Sequence, residues 1–321
     1  MKPLDFEKPI DELYQKIDEL KELSSESNID LTKDIEKIEK RAEKLKKEIY
    51  LSLTPAQVIQ IARHPNRPNT LSLAHLLCNE FTELKGDRTY RDDPSIVGGI
   101  GKLDEFRVMI IGHQKGADTK EKIKRNFGMP HPEGYRKALR LMKMADKFQM
   151  PIITLIDTPG AYPGKEAEER GQAEAIAKNL KEMIGISVPI VSVVIGEGGS
   201  GGALGIAVAN SIFMLEYAVY SVISPEGCAS ILFRDASRAE YAAEKLKITS
   251  KDIVDLGIAD KIIPEPLGGA HNNWGQTADN IKENLLKEIR KLHKLNDDQI
   301  KNERYEKFRS FGKFKDTSKT K

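Results

Sequence analysis

Val188-Pro189-Ile190-Val191-Ser192-Val193-Val194-Ile195-Gly196-Glu197-Gly198-Gly199-Ser200-Gly201-Gly202-Ala203 decides the fold. Its first half is an apolar, β-branched run, the pattern of a strand covered on both faces. Its second half is a glycine loop that opens an apolar helix. Upstream, Met150-Pro151-Ile152-Ile153-Thr154-Leu155-Ile156 repeats the pattern: a strand, the loop Asp157-Thr158-Pro159-Gly160, and a polar helix predicted over Glu166 to Met183. The two units begin 38 positions apart, at Pro151 and Pro189. Such alternation predicts an α/β core. Around it, Val108-Met109-Ile110-Ile111 reads as a buried strand, and Gly134 to Phe148 as a helix with Ala138, Leu141, Met142, Ala145 and Phe148 on one face. Ile212 to Leu215 and Tyr220 to Ile223 read as short strands, and Pro225-Glu226-Gly227 opens another helix.

The flanks are charged. Residues 1–50 hold 11 basic and 14 acidic side chains, residues 151–230 only 13 charges, and residues 276–321 hold 13 basic and 8 acidic. The division that follows is a helical region at 1–82, a core at 83–275 and a charged helical tail at 276–321. Leu13, Ile17 and Leu20, then Ile35, Ile38, Leu45 and Ile49 around Ala42, put apolar stripes on two helices. Ser24-Ser25-Glu26-Ser27-Asn28 is the predicted connector of that hairpin. Thr54-Pro55-Ala56-Gln57 starts a third helix with a capping box, and His64-Pro65 follows its end.

Across 321 residues, 51 Lys and Arg nearly balance 49 Asp and Glu, which argues against a protein built to coat nucleic acid. The basic tail reads either as an RNA contact or as a solvated helix face. Two cysteines, Cys78 and Cys228, exclude a disulfide framework and a four-thiolate zinc site in this chain; sparse thiols fit the cytoplasm. The opening Met1 to Ile10 has no apolar signal region, and the uncharged stretch Gly198 to Leu215, with five glycines, suits a buried element better than a membrane span.

Five glycines in the seven residues Gly196 to Gly202 are more than strand–helix packing needs. They allow a ligand to approach the main chain, and the first amides of a helix are free to stabilise an oxyanion. Asp157-Thr158-Pro159-Gly160 resembles a GTPase magnesium loop, but no phosphate loop of the form Gly-x4-Gly-Lys-Ser/Thr accompanies it. Met142-Lys143-Met144 resembles a biotin-attachment triplet, yet it lies within a helical pattern rather than on a hairpin turn, so no biotin is attached here. His113 is either a general base or a structural histidine. Lys115, Lys120, Lys122, Lys124 and Arg125 either meet phosphates or form a solvated face. No metal-ligand spacing occurs.

Asp157 to Gly164, Ala167-Glu168-Glu169-Arg170-Gly171-Gln172, Gly196 to Ala203, Tyr220 to Ala229 and Pro264 to His271 resemble the α-subunit family of bacterial acetyl-CoA carboxylase carboxyltransferases. Ala62-Arg63-His64-Pro65, Gly86-Asp87-Arg88 and Arg125 to Pro130 agree, and the likeness runs from Leu4 to about Tyr305. The resemblance implies a crotonase-like α/β superhelix of strand–strand–helix turns with an N-terminal helical region and a C-terminal helical tail. It also implies carboxyl transfer from N-carboxybiotin, on a biotin carboxyl carrier protein, to acetyl-CoA, giving malonyl-CoA for fatty-acid synthesis. The ATP-using biotin carboxylase is a separate component. A β subunit, bearing a zinc ribbon, completes an α2β2 assembly.

By this likeness Gly201 and Gly202 are the backbone pair facing the biotin ureido oxygen, with Gly160, Ala161, Gly198, Gly199 and Ala203 as substrate-binding positions and no metal. The thioester's oxyanion hole falls to the β subunit. Two other readings use the same residues: a scaffold in which the glycines only pack, and a stand-alone acyl-CoA hydratase, which needs a carboxylate such as Glu197 or Glu226 beside the hole.

Overall fold

A computed structural model describes residues 4–27 and 30–312. Met1 to Pro3, Asn28 of the predicted connector and the last nine residues of the predicted tail lie outside the described residues. Helices α1 (Lys8–Ser27) and α2 (Thr32–Leu51) are followed by α3 (Pro55–Ala62) and α4 (Thr70–Leu77). Strands β1 (Phe81–Glu83), β2 (Ile96–Leu103) and β3 (Phe106–His113) come next, then α5 (Thr119–Lys124) and α6 (Pro132–Lys147). β4 (Ile152–Thr158) leads to α7 (Lys165–Glu169) and α8 (Gln172–Ile184), and β5 (Ile190–Gly199) to α9 (Ser200–Leu204). β6 (Ser211–Leu215), β7 (Val219–Ser221), α10 (Pro225–Phe233), α11 (Ala239–Leu246), α12 (Ser250–Asp255), β8 (Lys261–Ile263), α13 (Trp274–Leu292) and α14 (Asp297–Arg309) complete the chain.

All eight strands form one sheet in the order β1-β2-β3-β4-β5-β6-β8, with β7 paired to the far end of β5. β1, β2 and β3 are antiparallel; the β3–β4, β4–β5, β5–β6 and β6–β8 pairs are parallel. Parallel central strands must be covered on both faces. Every residue of β4 is accordingly buried, and α4, α6, α8 and α13 supply Leu73, Leu141, Met183 and Leu285 to the same core.

Four local expectations shift. The predicted helix from Glu166 to Met183 is two helices, because Gly171 adopts φ 82° and turns the chain between them. The predicted loop Gly196 to Gly199 is the end of β5, and the helix it opens is only five residues long. The predicted connector is largely helical, since α1 runs to Ser27. Strand β7 stops at Ser221 rather than Ile223. The Thr54 capping box is present as read, with Gln57 N–H on Thr54 Oγ1 at 3.3 Å and Thr54 N–H on Gln57 Oε1 at 2.8 Å.

The helical ends are tied to the core. Tyr50 donates to Glu7 Oε1 at 2.6 Å and stacks edge-on with Phe6 and Tyr217. In α14, Arg304 is fully buried and donates to the carbonyls of Met183, Ile186 and Val188 at 2.7–2.8 Å and to Asn210 Oδ1 at 2.6 Å. None of these partners is a carboxylate, and burial pushes the guanidinium pKa down to about 10.

Candidate active site

The C-terminal ends of β4 and β5 carry the two glycine segments, at the edge where parallel α/β sheets place ligands. The strand ends are irregular. Ile156 pairs with Val194, but Thr158 next pairs with Gly198, so β5 spends four residues where β4 spends two. Such bulges re-aim the chain beside functional sites. Asp157 occupies the gap: its Oδ1 accepts the Glu197 N–H at 3.0 Å. Ser200 then takes φ 53°, a left-handed turn that swings the chain from strand into α9.

This brings the proposed site residues together, in unequal roles. A Cβ at Gly202 would overlap the backbone of Gly160 and Ala161, so the two segments touch. Gly199 packs on the Pro159 carbonyl and Gly198 on the Tyr220 ring, and Ala203 is fully buried. Among the five glycines of the seven positions, only Gly160 and Gly201 face open space. Gly201 borders a cavity of about 380 Å³ whose walls include Leu204, Tyr220, Ile253 and Leu256. The Gly201 and Gly202 amides, second and third in α9, have no acceptor within the helix, and neither donates elsewhere among the described residues. A five-residue helix carries little macrodipole, so the two N–H groups themselves, rather than a helix field, are the polar feature.

Behind the glycines lies an ion-pair chain that sequence reasoning missed. Lys115 Nζ is 2.7 Å from both Asp157 Oδ1 and Glu197 Oε2. Arg63 bonds Glu197 Oε1 at 2.7 Å and Glu226 Oε1 at 2.6 Å. Burial alone would raise the Glu197 pKa; the Lys115 and Arg63 cations outweigh it and hold it at about 2. A carboxylate so paired is a poor proton carrier, which removes the physical basis for the hydratase reading at Glu197. Arg63 stood in a quoted sequence block, but partners 134 and 163 positions away leave no local trace.

The other candidates separate. His113 is completely buried; burial, with Lys115 adding to it, lowers its pKa to about 3, so it is neutral. Its Nδ1 accepts only a long 3.4 Å contact from the Asp157 N–H. The basic run splits: Lys115 points into the ion-pair chain while Lys120 and Lys124 are exposed. Lys143 lies within α6 and pairs with Glu182 at 2.6 Å, on no hairpin turn. Both cysteines are free and buried, and no cluster of three or more metal-ligating side chains occurs among the described residues. No helix among them is long and apolar enough to cross a membrane.

A family model described as acetyl co-enzyme A carboxylase carboxyltransferase-like matches residues 3–312. The chain belongs to the acetyl-CoA carboxylase carboxyltransferase family. It is 58% identical over 311 residues to the acetyl-coenzyme A carboxylase carboxyl transferase subunit alpha of a Geobacillus strain, covering 97% of this chain and 96% of the relative. The subunit of that name from Methylococcus capsulatus is 53% identical, covering 98% of each. Among solved structures, the β subunit of Pseudomonas aeruginosa geranyl-CoA carboxylase superposes with a TM-score of 0.56 at 15% identity, over 76% of this chain and 46% of that one. Transcarboxylase 12S does so with a TM-score of 0.52 at 19% identity, over 66% and 41%. These likenesses bear out the crotonase-like α/β fold that the family resemblance implies.

Proposed function

We propose that this carboxyltransferase chain is the α subunit that, with a β subunit, moves the carboxyl group of N-carboxybiotin to acetyl-CoA and forms malonyl-CoA. The observation that carries the reading is the pair of unpartnered amides at Gly201 and Gly202, at a turn where Gly201 lines an apolar cavity. Two main-chain donors suit the oxygen of a neutral urea that gains negative charge during reaction, and an apolar wall suits the ring system behind it.

Carboxybiotin, on its carrier protein, supplies the carboxyl group and, having lost it, can accept the methyl proton of the thioester. This chain's part is to bind and stabilise. The Gly201 and Gly202 amides would donate to the ureido oxygen, each well-aimed donor contributing about 2.7–4 kcal/mol in a site closed to water. Leu204, Tyr220 and Ile253 give the cavity beside them an apolar wall. Gly160 and Gly201 leave room at the main chain, with Ala161, Gly198, Gly199 and Ala203 setting the floor. No side-chain base is required of this subunit, in keeping with a neutral buried His113 and a locked Glu197.

The same proposal gives the thioester oxyanion hole and the zinc ribbon to the β subunit, in an α2β2 assembly served by the biotin carboxyl carrier protein and biotin carboxylase in the cytoplasm. It also divides the chain into helical ends at 1–82 and 276–321 around a catalytic core at 83–275. Co-purification with the β subunit and assay of malonyl-CoA from carboxybiotin tests it. Product is expected only from the pair; the absence of transfer by a properly assembled pair refutes the reading.

A further inference from the structure

Lys115 lies two residues past the end of β3, and its ammonium sits where the ends of three neighbouring strands meet. Its aliphatic stem is packed against Gly128, where an added Cβ would lie 2.7 Å from Lys115 Cγ. Its head bonds Asp157 at the end of β4 and Glu197 near the end of β5, each at 2.7 Å, and the three side chains are 20%, 10% and 12% exposed. Asp157 precedes the segment 158–161 and Glu197 stands four residues before Gly201. These two segments touch at Gly202.

The β5 end is paired on one side only: Glu197 to Gly199 run beside β7, while the β4 side is irregular. Between Val194 and Gly198 the ladder to β4 is interrupted, and on that side the Glu197 amide bonds the Asp157 side chain instead of the β4 main chain. Two carboxylates this close repel unless a cation lies between them. Lys115 is that cation, assisted at Glu197 by Arg63.

We propose that Lys115 is a positioning residue: by bridging Asp157 and Glu197 it holds the bulged end of β5 against β4 and so aims the Gly201 and Gly202 amides at one point. The inference rests on the reading of those amides as the biotin-facing pair. A charged lysine that acts this way touches no reacting atom. Its removal lowers turnover through geometry, and a misplacement of about 1 Å can cost roughly a hundredfold.

The test uses the assembled αβ complex. Lys115→Met alone would strand a buried carboxylate, so the decisive variant is Lys115→Met with Asp157→Asn, which removes the ammonium and one carboxylate together and keeps an oxygen for the Glu197 amide. This double variant is expected to assemble and melt near the wild type. Its kcat should fall about a hundredfold, its KM for acetyl-CoA should stay unchanged, and backbone hydrogen exchange across 194–203 should be faster. Lys115→Arg, which retains the charge, should recover most of the rate and the exchange protection. Wild-type kcat, or unaltered exchange, in the double variant overturns the inference. A wild-type complex that forms no malonyl-CoA overturns the functional reading instead, and the exchange data alone then decide whether Lys115 fastens the strand ends.

Discussion

A side chain added at Gly202 would collide with the main chain of Gly160 and Ala161, whereas one added at Gly201 enters open space without a left-handed φ to strain it. The two substitutions therefore fail differently. Gly201→Val should leave the melting temperature and β-subunit binding intact while cutting malonyl-CoA formation by on the order of a hundredfold, through obstruction of the amide pair. Gly202→Val should lower the melting temperature as well, because the 158–161 segment must move. A Gly201→Val complex with wild-type turnover would remove the amides from the mechanism. Acid response is also set by single residues. His113 falls from its ordinary 6.5 to about 3, so below pH 6.5 the unfolded chain binds a proton that the native state refuses. Its contribution to stability is complete above 6.5 and is lost progressively as pH drops towards 3. His271, lowered to about 3 by burial and by His64, Arg67 and Lys46, acts in the same window. Glu197, held at about 2 against 4.5, adds a loss that begins only below 4.5. Melting temperatures measured across pH should thus fall less steeply from 6.5 downward in His113→Gln, while Glu197→Gln should alter the slope only below 4.5. An unchanged profile in His113→Gln would contradict its neutral burial.

Among the elements, α14 bears the strongest structural commitment. Arg304→Ala strips the guanidinium from the carbonyls of Met183, Ile186 and Val188 and from the Asn210 amide oxygen, which keeps only the Ile190 N–H. The expected loss is about 3 kcal/mol or more in denaturant unfolding, since several bonds to a charged group vanish at once; a loss below about 1 kcal/mol would show that water replaces the guanidinium freely. Nothing in the charge pattern of residues 276–321 distinguished Arg304 from its solvated neighbours. What the sequence made legible was periodic: the β4 and β5 apolar runs, the Thr54 cap and the α6 face of Ala138, Leu141, Met142 and Ala145 each follow from neighbours a few positions apart, whereas Phe148, read onto that face, lies past the end of α6 and is exposed. The end of β5 was hidden because glycines disfavour strands, and its pairing with β7 and Thr158 is decided by distant partners. Gly171 lies inside the helix predicted from Glu166 to Met183, and its left-handed φ breaks that helix in two. The glycine pair was visible through its density, whereas the Asp157–Lys115–Glu197–Arg63 chain joins residues 40 to 134 positions apart and could be found only in three dimensions.

For the molecule as a whole, one oxyanion site of two is present in the proposed reaction, so the chain alone should transfer no carboxyl group, and adding the β subunit should restore transfer. Full turnover by the isolated chain would defeat the division of labour. Arg304 has a consequence of another kind. It lies 121 residues downstream of the Met183 carbonyl it satisfies. A ribosome delivers the chain from its N-terminus, so the end of α8, the turn into β5 and Asn210 before β6 emerge with polar groups still waiting for a late-arriving side chain. That corner of the fold is closed only when α14 emerges and seats its guanidinium, so the order of synthesis makes this clasp one of the last native contacts to form.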